Sequence, residues 1–279
     1  MKVLVKYLIA ALLTVLVVNS ESKAQFSEFG LMGGVSFYMG DLNPDMPFKQ
    51  VMPAGGIFYR YNFNDRFSAR GAFTLGYLKG DDAKSDVAAQ IERNLNFQSW
   101  VYDFSITGEF NFFRYAPGDM AHPITPFLFG GIAVFKFDPT TVASDGNRYE
   151  LQPLGTEGQG TVQYADRKKY ALTTASIPFG LGLKANLSKT FSVGLEWRMH
   201  YAFTDYIDDV SGTYAAPGVI QSERGDIAYE LANRSLTLTD EVLEGRQRGN
   251  SKTNDWYSFA LITFSMNIKA RPAKCPAYQ

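Results

Sequence analysis

The stretch from residue 190 to residue 205, TFSVGLEWRMHYAFTD, alternates between apolar and polar positions without a break. Successive side chains of a β-strand point to opposite faces, so one face here is continuously apolar. About ten strand residues, tilted by about 40°, rise roughly 25 Å, which is the height of the apolar band of an outer-membrane barrel. The pattern predicts a membrane strand with lipid on its odd-numbered face and a polar lumen on its even-numbered face.

Seven further stretches have the same two-residue period, which is typical of strands and not of helices. In chain order they are residues 29–40, 55–62, 67–78, 100–112, 125–137, 172–187 and 256–268. The last of them changes phase near Leu261 and Ile262, which predicts a β-bulge at that point. Together with residues 190–205 they make eight predicted strands.

The links between these strands alternate in length. Those at residues 63–66, 113–124 and 188–189 are short, whereas those at residues 41–54, 79–99, 138–171 and 206–255 are long. Outer-membrane barrels have an even number of strands, short periplasmic turns and long outer loops. The predicted fold is therefore all-β: an eight-stranded antiparallel transmembrane β-barrel of residues 25–268, with both termini periplasmic. A secreted β-sandwich is the competing architecture.

Aromatic residues are expected in two girdles at the membrane surfaces. Girdle residues predicted near one rim are Trp100, Tyr102, Trp256 and Tyr257, and those near the other are Phe110, Phe112 and Tyr115.

Eight ionisable residues face the lumen by their position in the alternation. An eight-stranded barrel encloses only enough space for side chains, and buried charges must be paired or hydrogen-bonded. The sequence therefore predicts a filled network that is closed to solutes, with a proton path or a functional site as the alternatives. The eight residues are Arg60, Arg70, Asp103, Glu109, Lys184, Glu196, Arg198 and His200.

The N-terminal residues predict export. Lys2 and Lys6 precede a short apolar run that ends at Val18, and small residues stand before Gln25, which is the pattern of a signal peptide over residues 1–24. The chain has 27 basic and 28 acidic residues, and its mature form, without three Lys and one Glu, would carry a net charge near −3. That charge gives no support to nucleic-acid binding.

The C-terminal segment, residues 269–279, is predicted to lie in the periplasm after the last strand. It is basic and contains the single Cys of the chain, so an intramolecular disulfide is excluded. Two interpretations stay open, a disordered stub and a docking peptide for a partner protein. The residues proposed for docking are Lys269, Arg271, Lys274 and Cys275.

No residue pattern predicts a catalytic, cofactor or metal site. Ser192, Glu196 and His200 share a face but stand about 13 Å apart in successive steps, too far for a catalytic triad. The run GTEGQG at residues 155–160 lacks the Lys of a phosphate-binding loop and predicts a flexible outer turn. Asp205, Asp208 and Asp209 predict a solvated acidic turn in preference to a Ca²⁺ site. Residues 225–233 predict a short helix.

Five stretches resemble one known family. They are Gly40-Asp41-Leu42-Asn43; residues 151–160, LQPLGTEGQG; residues 177–180, IPFG; residues 203–211, FTDYIDDVS; and residues 248–250 with 254–257, RGN and NDWY. Together, over residues 28–276, they resemble the PorG (DUF6089) family, an outer-membrane component of the type IX secretion system of Bacteroidota.

The resemblance implies a structural role without catalytic residues or cofactors. It implies an outer-membrane protein tied to a periplasmic ring that consists of a lipoprotein and its soluble partner. Outer-membrane lipid is the other expected partner, and no small-molecule substrate is expected. A lipid-modifying barrel enzyme and a small-solute channel are the alternatives.

Overall fold

The computed structural model describes residues 26–44, 48 and 50–269. The predicted signal peptide lies outside the described residues, as do Arg271, Lys274 and Cys275 of the predicted docking tail. Within the described residues, no helix has both the length and the apolar character needed to cross a membrane.

In the described part of the chain, nine strands form one antiparallel sheet, and eight of them close into a barrel. The ring order is β4, β3, β2, β1, β9, β8, β7, β5, and pairing of β5 with β4 closes it. The short β6 pairs only with the loop end of β5. The strands are β1 (Phe26–Met39), β2 (Met52–Asn62), β3 (Phe67–Asp81), β4 (Asn96–Asn111), β5 (Ile124–Val142), β6 (Arg148–Glu150), β7 (Thr173–Asn186), β8 (Phe191–Ala202) and β9 (Trp256–Lys269).

The predicted alternation of short turns and long loops is confirmed. Residues 63–66, 112–123 and 187–190 are the links at one end, where β1 begins and β9 ends. The four long loops lie at the other end, and their described residues contain a 3₁₀ turn (Asp82–Lys84) and five short helices. The helices are α1 (Ala88–Arg93), α2 (Leu151–Leu154), α3 (Pro217–Arg224), α4 (Asp226–Ala232) and α5 (Asp240–Leu243), of which α4 confirms the helix predicted at 225–233.

The outer wall of the barrel is apolar around its circumference. Leu195, for example, has 60% of its surface exposed, although a soluble protein would bury such a side chain. A contiguous apolar belt of this size fits a bilayer and not water. Large apolar residues exposed on the wall include Leu31, Phe104, Ile106, Ile132, Val134, Leu181 and Ile262.

The bulge predicted near Leu261 is wrong. Strand β9 keeps one continuous register with β1 and with β8 along its length. Its odd-numbered residues from Tyr257 to Asn267 face inward, but this inner face is apolar from Tyr257 to Leu261 and polar from Thr263 to Asn267. The change in the sequence pattern therefore marks a change in what the lumen contains, not a break in the strand.

The interior of the barrel has two halves. The half nearer the chain termini holds most of the ionisable residues, and the half nearer the loops holds a fully buried aromatic and aliphatic core that encloses Asp103 and His200. This core corrects the expectation of a polar lumen along the full height of the barrel. Its members include Phe97, Val101, Phe135, Phe137, Tyr257, Phe259 and Leu261.

Two predicted girdle residues lie inside the barrel. Tyr257 is completely buried among the core residues, and Tyr115 is 1% exposed beneath the turn at residues 112–123. Alternation places Tyr257 correctly once the bulge is removed, because it shares the inward parity of Leu261. Trp100, Tyr102 and Phe112 are exposed on the outer wall, as a girdle requires.

Glycines on the inner face of β7 make room for aromatic rings. A Cβ atom added at Gly180 would lie 2.6 Å from Cζ of Phe129, and one added at Gly182 would lie 2.6 Å from Cε1 of Phe127. Real Cβ atoms do not approach so closely, so large rings on β5 require small residues on β7.

Leu195→Arg is expected to prevent most of the protein from folding into the barrel. A cation at the lipid-facing midplane costs about 2–4 kcal/mol, whereas Leu195→Phe keeps the site apolar and serves as the control. The folded fraction is read from heat-modifiable gel mobility in lipid vesicles. Equal folding of the two variants would contradict the lipid-facing assignment of this wall.

Candidate functional site

All eight ionisable side chains predicted to face the lumen lie inside the barrel. None of them has more than 3% of its surface exposed. They come from β2, β3, β4, β7 and β8, so neighbours in the network are distant in the chain.

Glu109 is the centre of the network. Its carboxylate lies 2.8 Å from Nε of Arg60, 3.0 Å from Nε of Arg70 and 2.9 Å from Nζ of Lys184. Ser68 also donates its hydroxyl to Oε2 of Glu109, at 3.2 Å. One carboxylate therefore faces three cations at the centre of the lumen.

Glu196 continues the network across the barrel. Its two carboxylate oxygens lie 2.5 Å from Nη1 of Arg70 and 2.6 Å from Nη2 of Arg198. Arg70 therefore bridges Glu109 on β4 and Glu196 on β8. Such pairing is what a charge needs in a space that excludes water.

Glu28 belongs to the network but was missed by the sequence analysis. It is fully buried, and Oε2 lies 3.0 Å from Nη1 of Arg60. The predicted first strand began at Phe29, one residue too late. Continuing the alternation by a single residue would have placed Glu28 on the lumen face. With it, the lumen holds four carboxylates against four Arg and Lys side chains and His200.

Aromatic rings enclose the cations of the network. The guanidinium carbon of Arg60 lies 5.0 Å from the ring centre of Phe58, and that of Arg70 lies 5.1 Å from Phe129. Nζ of Lys184 lies 4.6 Å from the ring centre of Phe127. In cation–π contacts of this kind, the negative potential of the ring face stabilises the cation, so no additional carboxylate is needed.

A second lumen cluster joins Asp103, Ser176, His200 and Tyr257. Nδ1 of His200 lies 3.2 Å from the Ser176 hydroxyl and 3.4 Å from Oδ2 of Asp103, and Tyr257 donates to the same Asp103 oxygen at 2.9 Å. A catalytic triad needs the serine and the carboxylate on different ring nitrogens. Here both face Nδ1, and all four residues are at most 1% exposed. The cluster has the geometry of a packing network.

The four long loops fold together over the end of the barrel, and we call this assembly the loop cap (residues 40–44, 82–95, 143–172 and 203–255). Four of the five stretches that carry the family resemblance meet in it, although they lie far apart in the chain. The exception is residues 177–180, which belong to the wall strand β7.

Three residues hold separate segments of the long loops together, and we call them the joints of the loop cap. Glu157 is the first of them. It is 2% exposed and accepts hydrogen bonds from the backbone amides of Ser211 and Gly212 at 3.0–3.1 Å. Nη1 of Arg248 lies 3.2 Å from its Oε1. This one carboxylate therefore connects the third long loop to both ends of the fourth.

Arg93, at the end of α1, is the second joint. It donates to both carboxylate oxygens of Asp82 at 2.7 and 2.9 Å, to the carbonyl of Asp41 at 2.8 Å, and to the carbonyl of Arg248 at 2.6 Å. A single guanidinium thereby holds the first, second and fourth loops together.

Tyr38, at the loop end of β1, is the third joint. Its hydroxyl lies 2.6 Å from Oδ2 of Asp208 and 3.0 Å from Oδ1 of Asp255, and all three residues are at most 1% exposed. A hydroxyl has one proton, so both contacts are hydrogen bonds only when one carboxyl is protonated. A Cβ atom at Gly40 would lie 2.0 Å from both the Tyr38 hydroxyl and Asp255, so this turn requires glycine.

Burial explains the protonation of this pair. Burial and then the charge of Asp41 raise the pKa of Asp208 well above its usual range. Burial and then the charges of Asp208 and Asp205 raise the pKa of Asp255 in the same way. Both shifts favour the protonated acid, which fits a proton shared between the two carboxyls.

The acidic turn predicted to be solvated is buried instead. Asp208 and Asp209 are each 1% exposed. Thr156 and Tyr170 donate their hydroxyls to Asp209 at 2.5 and 2.7 Å, and Arg248 donates to its backbone carbonyl at 2.7 Å. Only the folded loops supply these partners, so the acidic run by itself indicated solvent. No described group of three or more His, Cys, Asp or Glu residues could hold a metal ion.

The GTEGQG run is not a flexible turn. Thr156, Glu157 and Gln159 are at most 2% exposed inside the loop cap. Gly155, Gly158 and Gly160 have φ angles of 66°, 84° and 72°. These left-handed conformations favour glycine and let the chain reverse around the buried Glu157. The glycines therefore give the loop its shape.

The family described as "Domain of unknown function (DUF6089)" matches residues 6–221. The chain belongs to this family. The match ends within α3, whereas the resemblance noted above continues to residue 276. No curated protein matches the sequence.

Three solved structures illustrate the comparison with known folds. The N-terminal β-barrel domain of Pseudomonas aeruginosa OprF is 11% identical, with 88% of this chain and 98% of that chain covered and a TM-score of 0.36. Ail of Yersinia pestis is 8% identical, with 88% and 99% covered and a TM-score of 0.39. The neisserial surface protein NspA is 9% identical, with 89% and 98% covered and a TM-score of 0.40.

Glu109→Gln is expected to destabilise the barrel strongly, because it leaves Arg60, Arg70 and Lys184 without their shared carboxylate. Removing one partner of a buried ion pair costs about 3–5 kcal/mol of the free energy of unfolding. Ser68→Ala removes only a hydroxyl donor to Glu109 and should cost about 1 kcal/mol. Urea unfolding in lipid vesicles measures both. If the two midpoints coincide, Glu109 is not the centre of the network.

The loop cap is expected to loosen as the pH rises. Burial raises the pKa of Asp205 to about 7 and that of Asp209 to about 6. An open loop would release these protons near the usual Asp pKa of about 4, so stability is greatest below that pH and falls as the pH rises to about 7.

Hydrogen–deuterium exchange of residues 203–215, corrected for its intrinsic pH dependence, measures the loosening. Exchange should be at least about tenfold faster at pH 8 than at pH 5, since one pKa unit is a factor of ten. Asp205→Asn should reduce this dependence, and Asp166→Asn, at an exposed carboxylate of the third loop, should not. A pH-independent rate in the unmodified protein would refute the role of Asp205.

Proposed function

We propose that this chain is a structural outer-membrane component of the type IX protein secretion machinery and anchors its periplasmic ring complex to the outer membrane. The observation that carries this proposal is the loop cap, where four of the five stretches that resemble the family are held together by Glu157, Arg93 and Tyr38. In this chain, the stretches that resemble the family therefore belong to a rigid arrangement of loops.

The closed lumen favours an anchor over a channel. Paired charges fill one half of the interior, and the fully buried core around Phe135 and Phe259 fills the other. Opening a path for solutes would separate ion pairs that water does not reach, at a cost of several kcal/mol for each ion. The surfaces available for function are consequently the outer wall and the two ends.

The end that carries the chain termini offers a surface for a periplasmic partner. The turn at residues 112–123 is longer than the other two links and is held by the buried Asn186. The Asn186 side chain accepts from the Tyr115 hydroxyl at 2.9 Å and donates to the carbonyls of Ala116 and Asp119 at 2.9 and 3.0 Å. Phe113 stands 60% exposed on this turn. A rigid turn with an exposed ring suits protein recognition.

The predicted tail would extend this surface. Strand β9 ends at Lys269 on the same end, and the proposed docking residues Arg271, Lys274 and Cys275 follow in the sequence. The predicted signal peptide and the apolar outer wall support an outer-membrane location with this end in the periplasm.

Deletion of residues 270–279 is expected to leave the barrel folded and to lower recovery of the ring lipoprotein and its soluble partner at least severalfold after cross-linking. Phe113→Ser should have a similar effect, because it removes the exposed ring from the neighbouring turn. Phe63→Ser, at an exposed ring in another link of the same end, is the control. Undiminished recovery of ring proteins with both variants would refute anchoring through this end.

A strain that lacks the whole gene, together with the purified protein, separates the alternatives. Loss of cargo secretion on deletion of the whole gene is expected for the secretion role. Altered lipid A in the deletion strain, detected by mass spectrometry, would instead indicate the lipid-modifying enzyme. A steady conductance of purified protein in planar bilayers would indicate the channel.

A further inference from the structure

A cavity of about 480 Å³ opens on the outer wall of the barrel near its loop end. It lies over β3, β4 and β5 and is closed at the top by β6. The lumen network contributes no side chain to it, and Arg148 is its single lining residue from the loop cap. The residues that define it are Tyr77, Trp100, Tyr102, Lys136, Asp138 and Arg148.

The cavity lies at the level of an aromatic girdle. Tyr77 and Asp138 both pair with Trp100, one on each side, so the three residues form one row across the wall. The rings of Tyr77 and Trp100 are 4.8 Å apart. On the far side of the ring of strands, Tyr201 and Trp256 make a second aromatic contact at the same end. Aromatic rings on an outward wall mark the boundary between acyl chains and headgroups.

Two cations face the cavity from above and below. Lys136 and Arg148 are both exposed, and neither has a carboxylate within ion-pair distance in the described part of the chain. Nη1 of Arg148 donates to the Tyr77 hydroxyl at 3.1 Å, and Tyr77 in turn donates to Gln98 at 2.5 Å. These bonds hold the guanidinium over the cavity and leave its other N–H groups available.

The remaining walls suit a sugar. Trp100 and Tyr102 each have nearly half of their surface exposed, and flat rings of this kind stack on the apolar faces of pyranose rings. Oδ1 of Asp138 is buried and accepts no hydrogen bond from the described residues, so it can accept one from a hydroxyl. Below the cavity the wall continues with the exposed apolar side chains of Phe104 and Val134, which suit acyl chains.

We propose that this cavity binds a phosphorylated glycolipid of the outer leaflet. Lys136 and Arg148 bind its phosphate, Trp100 and Tyr102 stack on its sugar, and the wall below packs against its acyl chains. Only an amphiphile of this composition uses the cations, the rings, the carboxylate and the apolar wall together. The inference rests on the proposed function for one point, that the long loops face outward.

Purified full-length protein titrated with lipid A, monitored by native mass spectrometry, tests this. Diphosphorylated lipid A is expected to bind at least about tenfold more tightly than its dephosphorylated form. A hydrogen bond to a charged group contributes more than about a factor of ten to the binding constant. Lys136→Gln with Arg148→Gln should abolish this difference. Arg114→Gln with Lys189→Gln, at exposed cations of the opposite end, should preserve it. Heat-modifiable mobility verifies that each variant is folded.

Trp100→Leu separates the sugar from the phosphate. This variant should bind lipid A at least severalfold more weakly and bind phosphatidylglycerol as tightly as the unmodified protein does, since only lipid A presents a pyranose ring to the indole. Equal binding of lipid A by the unmodified protein and by Lys136→Gln with Arg148→Gln would overturn the proposal. Binding of phosphatidylglycerol as tight as that of lipid A would also overturn it and indicate a general attraction to anionic lipid.

Surface labelling of cells that carry Asp166→Cys reports whether the third loop faces outward. It therefore distinguishes failure of the glycolipid proposal from failure of the proposed function. Labelling of the third loop together with absent lipid A binding would refute only the glycolipid site. An unlabelled loop would refute the outward orientation, and with it both proposals. The converse result is lipid A binding together with ring-protein recovery that the tail and turn variants do not lower. It would support the glycolipid site and refute the anchoring role.

Discussion

The exclusion of water from a narrow barrel is the constraint on which the rest of this structure depends. Eight strands leave an interior that side chains fill, so each charge placed there needs a partner from another strand. Glu109 meets this need for Arg60, Arg70 and Lys184 at once, and Glu196 meets it for Arg70 and Arg198. Because these partners come from strands around the whole ring, their pairing requires the ring to be closed.

The apolar half of the interior obeys the same constraint in another way. Where no partner charge is available, the inner face carries rings such as Phe135, Phe137 and Phe259, which need none. Some of these rings need glycine beside them, since a Cβ atom added at Gly76 would lie 2.6 Å from Cε1 of Phe259. The lumen is thus a solid core, and the barrel offers its surroundings a wall and two ends.

The loop cap shows what happens when carboxylates outnumber cations in a buried joint. Arg93 and Arg248 neutralise part of the charge, and hydroxyl and amide donors stabilise a further part. The pKa of Asp208 and Asp255 rises in response, and a shared proton completes the joint around Tyr38. The loops are therefore held by contacts that weaken as the pH increases, whereas the ion pairs of the lumen hold the wall beneath them.

The sequence by itself determined the strands, their inward and outward faces and the alternation of short and long links. It could do so because a two-residue period is a local property, and lipid on one face makes that period visible. Beyond the bilayer, the two-residue alternation no longer marks the strands. The sequence therefore did not reveal the loop ends of β3, β4 and β5, the helix α3, or the inward position of Glu28 at the chain-terminal end of β1.

Only the tertiary structure decided which charges meet. Arg70 and Glu196 are 126 positions apart in the chain, and no local pattern pairs them. The same holds for Asp208 and Asp209, which the sequence indicated to be solvated and which distant tyrosines bury. The apparent bulge at Leu261 has the same origin, because the partner across the lumen, not the strand, sets whether an inward position is apolar or polar. Burial and pairing depend on closure of the ring of strands, and no single segment of the sequence determines that closure.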